Sequence, residues 1–147
     1  MQHLTDLDSV NAFLTSAKNA LRPGGTLILD VFNPNPAKLT RTFETRYHHK
    51  TIVDATGREL CVEAATQYNS ASQILALTLF YMRTGELTRT KSVNMRCYFP
   101  EELKALCRFN GLEVVKRYGN YDETPFSSNS PKQILFCRSM SGTEVVI

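Results

Sequence analysis

The sequence predicts an α/β fold interrupted by an antiparallel β-meander, and three observations carry that expectation. Residues 7–21 repeat apolar side chains at helical spacing, and Pro23-Gly24-Gly25 then leads into the apolar run 26–32. Residues 43–97 change to extended segments separated by turn signals. Pro100-Glu101-Glu102 opens a second helix, with more strand-like stretches behind it.

Thr5 or Asp6 is placed to cap the first helix, because a short side-chain oxygen there accepts from an N–H that the helix leaves unpaired. Leu7, Val10, Phe13, Leu14, Ala17 and Leu21 form its inward stripe, and Pro23-Gly24-Gly25 ends it. In 26–32, apolar side chains fall on both faces and only Asp30 interrupts them. That pattern predicts a strand buried between helices, with Leu27, Ile28, Leu29 and Val31 all enclosed in a three-layer core. An unpaired carboxylate in such a run is costly, so Asp30 must find a partner or lie near the open end of the strand. Asn33-Pro34-Asn35-Pro36 breaks the strand at its carboxyl end, beyond which open α/β sheets bind ligands. Asn33 is therefore a candidate ligand contact, although the Asn-Pro turn also accounts for it.

The turn signals at 54–57, 69–72 and 83–86 divide 43–97 into four strands of a meander. The third, 73–82, is apolar on both faces, which requires cover on both sides, from the main domain or from another subunit. In the second helix Leu103, Leu106 and Cys107 face inward and Gly111 closes it. Residues 112–118 read as a strand, 119–130 as a polar loop and 133–138 as a last strand, and 139–147 carry no assignable element. The expected organisation is one domain over 1–147, with a core from 1–42 and 98–138 and an insertion at 43–97.

Composition excludes several classes. A net charge of +3, with basic residues scattered among acids, leaves no nucleic-acid footprint. No run is long enough to cross a bilayer, and the N-terminus has no secretory pattern, so the expectation is a cytoplasmic protein without membrane contact. Cys61, Cys97, Cys107 and Cys137 lie too far apart for a metal-ligand motif and read as core thiols. His48 and His49 are adjacent on a strand, point to opposite faces and cannot chelate one ion.

In this order the elements resemble the C-terminal half of a class I S-adenosylmethionine-dependent methyltransferase. Residues 21–32 look like that family's fifth strand and the end of the preceding helix, and 99–118 like its last helix and sixth strand. Residues 131–138 resemble its seventh strand, which runs antiparallel between the fifth and sixth. The likeness extends to the small-molecule subgroup, amino-sugar N-methyltransferases among them, whose antiparallel insertion after the fifth strand corresponds to 43–97. It implies a partial Rossmann-like sheet of strands five to seven with flanking helices, and methyl transfer from S-adenosylmethionine to nitrogen or oxygen of a small acceptor.

Further site residues follow from the resemblance or from their position in it. It implies His3 as the acceptor's base, set against its reading as an exposed residue near the terminus. Arg96 and Tyr98, from their position where the insertion re-enters the sheet, are candidate contacts to an anionic or hydroxylated substrate, set against a surface cation and a core aromatic. Tyr118-Gly119-Asn120-Tyr121-Asp122 resembles a loop on the acceptor side, with Asn120 replacing an acid, so Tyr118 and Tyr121 join the substrate set. Phe99 stands where relatives have a capping threonine. The family's glycine-rich strand-to-helix turn has no counterpart, because Gly24-Gly25 connects helix to strand. The chain is thus expected to represent the back half of such an enzyme and not to bind the cofactor tightly. The alternative is a non-catalytic, dimeric binding or interaction module of methyltransferase descent. A homodimer is expected either way, because the 26–32 strand edge and the apolar third meander strand both call for cover.

Overall fold

The computed structural model describes residues 1–40 and 43–140. The tail expected to lack an element lies outside the described residues from 141 onward. The chain divides into two compact units, Met1–Pro34 with the segment from Cys97 onward, and Asn35–Arg96.

The first unit contains α1 (Leu7–Ala20), β1 (Leu27–Phe32), α3 (Pro100–Phe109), β6 (Leu112–Tyr118) and β7 (Lys132–Ser139), and the second contains α2 (Pro36–Leu39), β2 (Phe43–Val53), β3 (Glu59–Asn69), β4 (Ile74–Arg83) and β5 (Glu86–Arg96). Asp6 caps α1, its Oδ1 accepting from the Ser9 N–H at 2.7 Å. The helix ends where expected, with Gly24 at φ +75° and the Gly25 N–H donating to the Arg22 carbonyl at 2.8 Å. At α3 the aromatic Phe99 provides no capping oxygen. Its backbone N–H instead donates to Glu102 Oε2 at 3.3 Å, which keeps one half of a capping box.

The sheet order is β1-β7-β6, with β7 antiparallel to both neighbours, as the methyltransferase resemblance implied. Leu29 and Val31 from β1, Leu135 and Cys137 from β7, and Leu112 from β6 join Val10 and Leu14 of α1 and Leu103 and Cys107 of α3 in one buried cluster. Both helices therefore cover the same face. Asn110 ties them together, donating from Nδ2 to Asn11 Oδ1 at 3.0 Å and accepting from Thr15 Oγ1 at 3.0 Å. Cys137 stays a thiol in this core, because its hydrogen bond with Cys107 and its burial both push it up.

The three-layer expectation is corrected here. Ile28 is 55% exposed and Asp30 is exposed, while Leu29 and Val31 are buried, so β1 has one covered face and one open face. The apolar run looked two-sided because hydrophobic side chains alone do not specify that a second layer is present. The short helix α2 was not expected. Asn35 Oδ1 caps it from the Ala37 N–H at 3.0 Å, with Pro36 in its first turn, so the Asn-Pro signal starts a helix as well as ending a strand.

The second unit holds the expected four-stranded meander, in the order β2 (Phe43–Val53), β3 (Glu59–Asn69), β4 (Ile74–Arg83) and β5 (Glu86–Arg96). Asp54 closes the first turn, its Oδ1 accepting from the backbone of Thr56 and Arg58 and its Oδ2 from Arg83 at 2.8 Å. Thr84 and Gly85 close the third, both at positive φ, the conformation that matches the twist of a two-residue hairpin. Val62 and Ala64 are fully buried, and β4 is half-buried along its whole length.

The one-sided sheet predicts unequal costs of truncation. Leu135→Ala, in the covered face, should lower unfolding stability by about 2–5 kcal/mol, and Ile28→Ala, on the open face, by under about 1 kcal/mol. Urea denaturation of both variants measures the contrast.

Candidate functional site

The structure gathers several of the singled-out residues at the carboxyl end of β1, around the loop 119–131. Asn33 fastens that loop. Its backbone N–H donates to the Pro131 carbonyl at 3.0 Å, and its Nδ2 donates to the carbonyls of Ser130 at 2.9 Å and Ser128 at 3.2 Å. Both its backbone and its side-chain donors are thus engaged in holding the loop. Tyr118 donates to Glu123 Oε2 at 3.1 Å and stands edge-on to Phe136 at 5.6 Å between centroids. Its neighbour Gly119 is required sterically, since a Cβ there would collide with Ser130 Oγ.

Tyr121 is 69% exposed, yet its hydroxyl donates to Asp30 Oδ2 at 2.5 Å. Lys132 reaches the same carboxylate at 3.0 and 3.2 Å and lies 4.6 Å from the Tyr121 ring centroid. Asp30 thus has the partner that its charge required. Partial burial acts to raise its pKa, but the hydrogen bonds from Tyr121 and Lys132 and the Lys132 charge outweigh this and hold the carboxyl below its usual value. Lys132 is raised, chiefly by hydrogen bonding to Tyr121; burial opposes this, and the hydrogen bond and charge of Asp30 add to the rise.

Tyr98 is a core aromatic, 1% exposed, whose hydroxyl donates to the Leu4 carbonyl at 3.0 Å. Its own carbonyl accepts from Nε2 of the fully buried Gln133 at 2.8 Å. Tyr98 therefore acts on the His3 segment through the backbone beside it. The His3 side chain itself is exposed. Arg96 belongs to the second unit, where it is 9% exposed and donates from Nη2 to Gln73 Oε1 at 2.9 Å, so it is no surface cation.

Sequence reasoning missed Lys132 and Gln133. Lys132 is 102 residues from Asp30, and only the β1/β7 register, which pairs Asp30 with Ile134, brings it within reach. The antiparallel seventh strand implied by the resemblance was the available signal. Among the described residues no group of three potential ligands could hold a metal ion, and no helix is long and apolar enough to cross a membrane. The strand-to-helix junctions that follow β1 and β5, residues 33–35 and 97–99, contain no glycine. Such a turn is what lets a cofactor approach the backbone closely, and the residues present do not form one.

No protein-family model matches the chain and no curated protein matches it. Solved structures do. The CcbJ methyltransferase of Streptomyces caelestis is 22% identical with a TM-score of 0.76, over 95% of this chain and 53% of its own. An S-adenosylmethionine-dependent methyltransferase of Clostridium acetobutylicum is 14% identical with a TM-score of 0.74, over 95% of this chain and 55% of its own. CalS10 of Micromonospora echinaspora, an amino pentose methyltransferase solved with S-adenosylmethionine bound, is 12% identical with a TM-score of 0.64, over 91% of this chain and 52% of its own. The chain thus has the fold of part of an S-adenosylmethionine-dependent methyltransferase and spans about half the length of these structures.

The Asp30, Tyr121 and Lys132 cluster should govern the loop. Tyr121→Phe is expected to speed amide exchange in residues 119–131 about fivefold, the equivalent of one hydrogen bond of ~1 kcal/mol. The Asp30 value is lower folded than unfolded, so its contribution is full above about pH 4 and is lost as pH falls through the folded value. Lys132 is higher folded than unfolded, so its share is full below about pH 10 and is lost as pH rises through the folded value. Exchange measured from pH 3 to 7 should show an acid limb that Asp30→Asn flattens.

Proposed function

We propose that this chain is the acceptor-side portion of an S-adenosylmethionine-dependent methyltransferase that methylates nitrogen or oxygen of a small molecule. One observation carries the reading. Nearly the whole chain shares its fold with solved methyltransferases, among them an amino pentose methyltransferase. S-adenosylmethionine supplies the methyl group in that chemistry. In this reading the chain contributes no tight cofactor site, since among the described residues the strand-to-helix junctions after β1 and β5 lack the glycine turn.

The chain's own residues act on the acceptor. Methyl transfer by in-line displacement needs proximity, exclusion of water and removal of one proton. His3 accepts that proton from an ammonium or hydroxyl group. Tyr98 positions His3 through its bond to the Leu4 carbonyl. Tyr118 at the end of β6 and Tyr121 in the loop fastened by Asn33 and Asp30 offer the acceptor their hydroxyl oxygens, whose protons are donated to Glu123 and Asp30, and Tyr121 adds an exposed ring.

A second reading, a non-catalytic homodimeric module, is favoured by β4, which is apolar yet only half-buried throughout. Pairing two copies through the meander sheet would cover it. Light scattering coupled to gel filtration is expected to give twice the chain mass, and a monodisperse monomer at micromolar concentration removes the dimer from either reading.

Two measurements test the enzymatic reading. Calorimetry with the isolated chain should show no stoichiometric binding of S-adenosylmethionine near 1 μM, and an affinity of about −8 kcal/mol would overturn the missing cofactor site. With the rest of a methyltransferase fold supplied, transfer of labelled methyl to amino sugars should occur and His3→Ala should lower kcat about 100-fold. No transfer to any amine or hydroxyl acceptor counts against the enzyme.

A further inference from the structure

The first two residues of β7 serve opposite sides of the sheet, since successive strand residues point opposite ways. Lys132 reaches Asp30 at 3.0 Å and lies beside the Tyr121 ring. Gln133 turns to the covered side, where its register partner Val31 and its same-face neighbours Leu135 and Cys137 are all buried.

A glutamine is costly in that place. Gln133 is fully buried among apolar side chains, where an aliphatic residue would pack without a polar group to satisfy. Only half of its amide is used. Nε2 donates to the Tyr98 carbonyl at 2.8 Å, while Oε1 meets no donor among the described residues. An unmatched buried oxygen lowers stability, so packing alone does not account for the residue. Its one bond acts on a neighbour that reaches further. Tyr98 is buried, and its hydroxyl donates to the Leu4 carbonyl at 3.0 Å. Leu4 closes a turn, its N–H donating to the Met1 carbonyl at 2.8 Å, and His3 lies within that turn.

We propose that Gln133 is a positioning residue of the acceptor site, setting the His3 segment through Tyr98. Gln133 holds the Tyr98 backbone, the stiff ring carries that placement across to the Leu4 carbonyl, and the turn of residues 1–4 fixes His3 relative to β7. Lys132 and Gln133 thus fasten the Tyr121 loop and the His3 turn from consecutive positions, and both groups offered to the acceptor share one reference strand. The inference rests on the methyltransferase reading for the role of His3, but the relay is measured without methyl transfer.

Hydrogen exchange on the intact chain reads the relay at the Leu4 amide. Gln133→Met, which keeps a long side chain and removes its donor, should speed that exchange about fivefold, as should Tyr98→Phe. The double substitution should be no faster than Tyr98→Phe alone, because the two act in series. Amides of 112–118 should keep their rates, which separates positioning from general loosening. Gln133→Glu supplies the rescue, and carries the test if Gln133→Met does not fold. Burial keeps its carboxyl protonated at about pH 4 and able to donate to the Tyr98 carbonyl, so the Leu4 rate should match the natural chain there and exceed it as the carboxyl ionises.

With the rest of a methyltransferase fold supplied, Gln133→Met should lower kcat about tenfold with KM unchanged, and should cost nothing further in a His3→Ala background. The proposal is overturned if Leu4 exchange ignores Gln133→Met, if all amides accelerate together, if Gln133→Glu restores nothing at acid pH, or if the kcat loss persists in full without His3. A relay that reads as described in a chain that transfers no methyl upholds the placement of His3 and removes the proposed activity.

Discussion

The first unit depends on β7 being inserted between two strands that would otherwise have no common partner. β1 and β6 run parallel to each other because both are antiparallel to β7, and β7 contributes Leu135 and Cys137 to the centre of the core. The same strand places Gln133 against the Tyr98 carbonyl and Lys132 against Asp30. One pairing therefore builds the hydrophobic layer, fixes the backbone beside His3 and anchors the loop at the carboxyl end of β1. Loss of that pairing would undo all of these at once, because none has a local substitute in the sequence.

Much of the architecture was legible in local chemistry. Asp6 as a cap, Pro23-Gly24-Gly25 as a stop and the meander's turn residues each act within a few positions of themselves, so a linear reading finds them. The site was less legible. Asp30 advertised its need for a partner, but Lys132 and Tyr121 lie 102 and 91 residues away in sequence. Whether β1 is covered on one face or two depends on which elements surround it, and Leu27 to Phe32 reads the same in either case. Asn33 shows the converse. A residue type suited to ligand contact is held by the carbonyls of Ser128 and Ser130, so polarity at a strand end did not identify its partner.

The loop 119–131 joins fold and chemistry. It is fastened at three places, by Asn33, by Asp30 through Tyr121, and by the Gly119 N–H, which donates to the Thr124 carbonyl at 2.7 Å. Glu123 adopts φ +63° within it while accepting the Tyr118 hydroxyl, an uncommon conformation kept by the surrounding bonds. A loop so tightly held leaves its Tyr121, exposed though it is, little conformational freedom.

The division of the chain has a kinetic consequence. The second unit is made of consecutive hairpins, each closed by a short turn, whereas the first unit pairs β1 with a strand that follows the entire second unit. Contacts between near neighbours form quickly and long loops close slowly, so the meander can zip up while β1 is still alone. Once it has formed, the tether between β1 and β7 is shorter than the residue count suggests. Assembly of the first unit then becomes the late step. On a ribosome, β1 must wait until residues 33–131 have been made before its partner strand emerges, and throughout that interval it is exposed to mispairing.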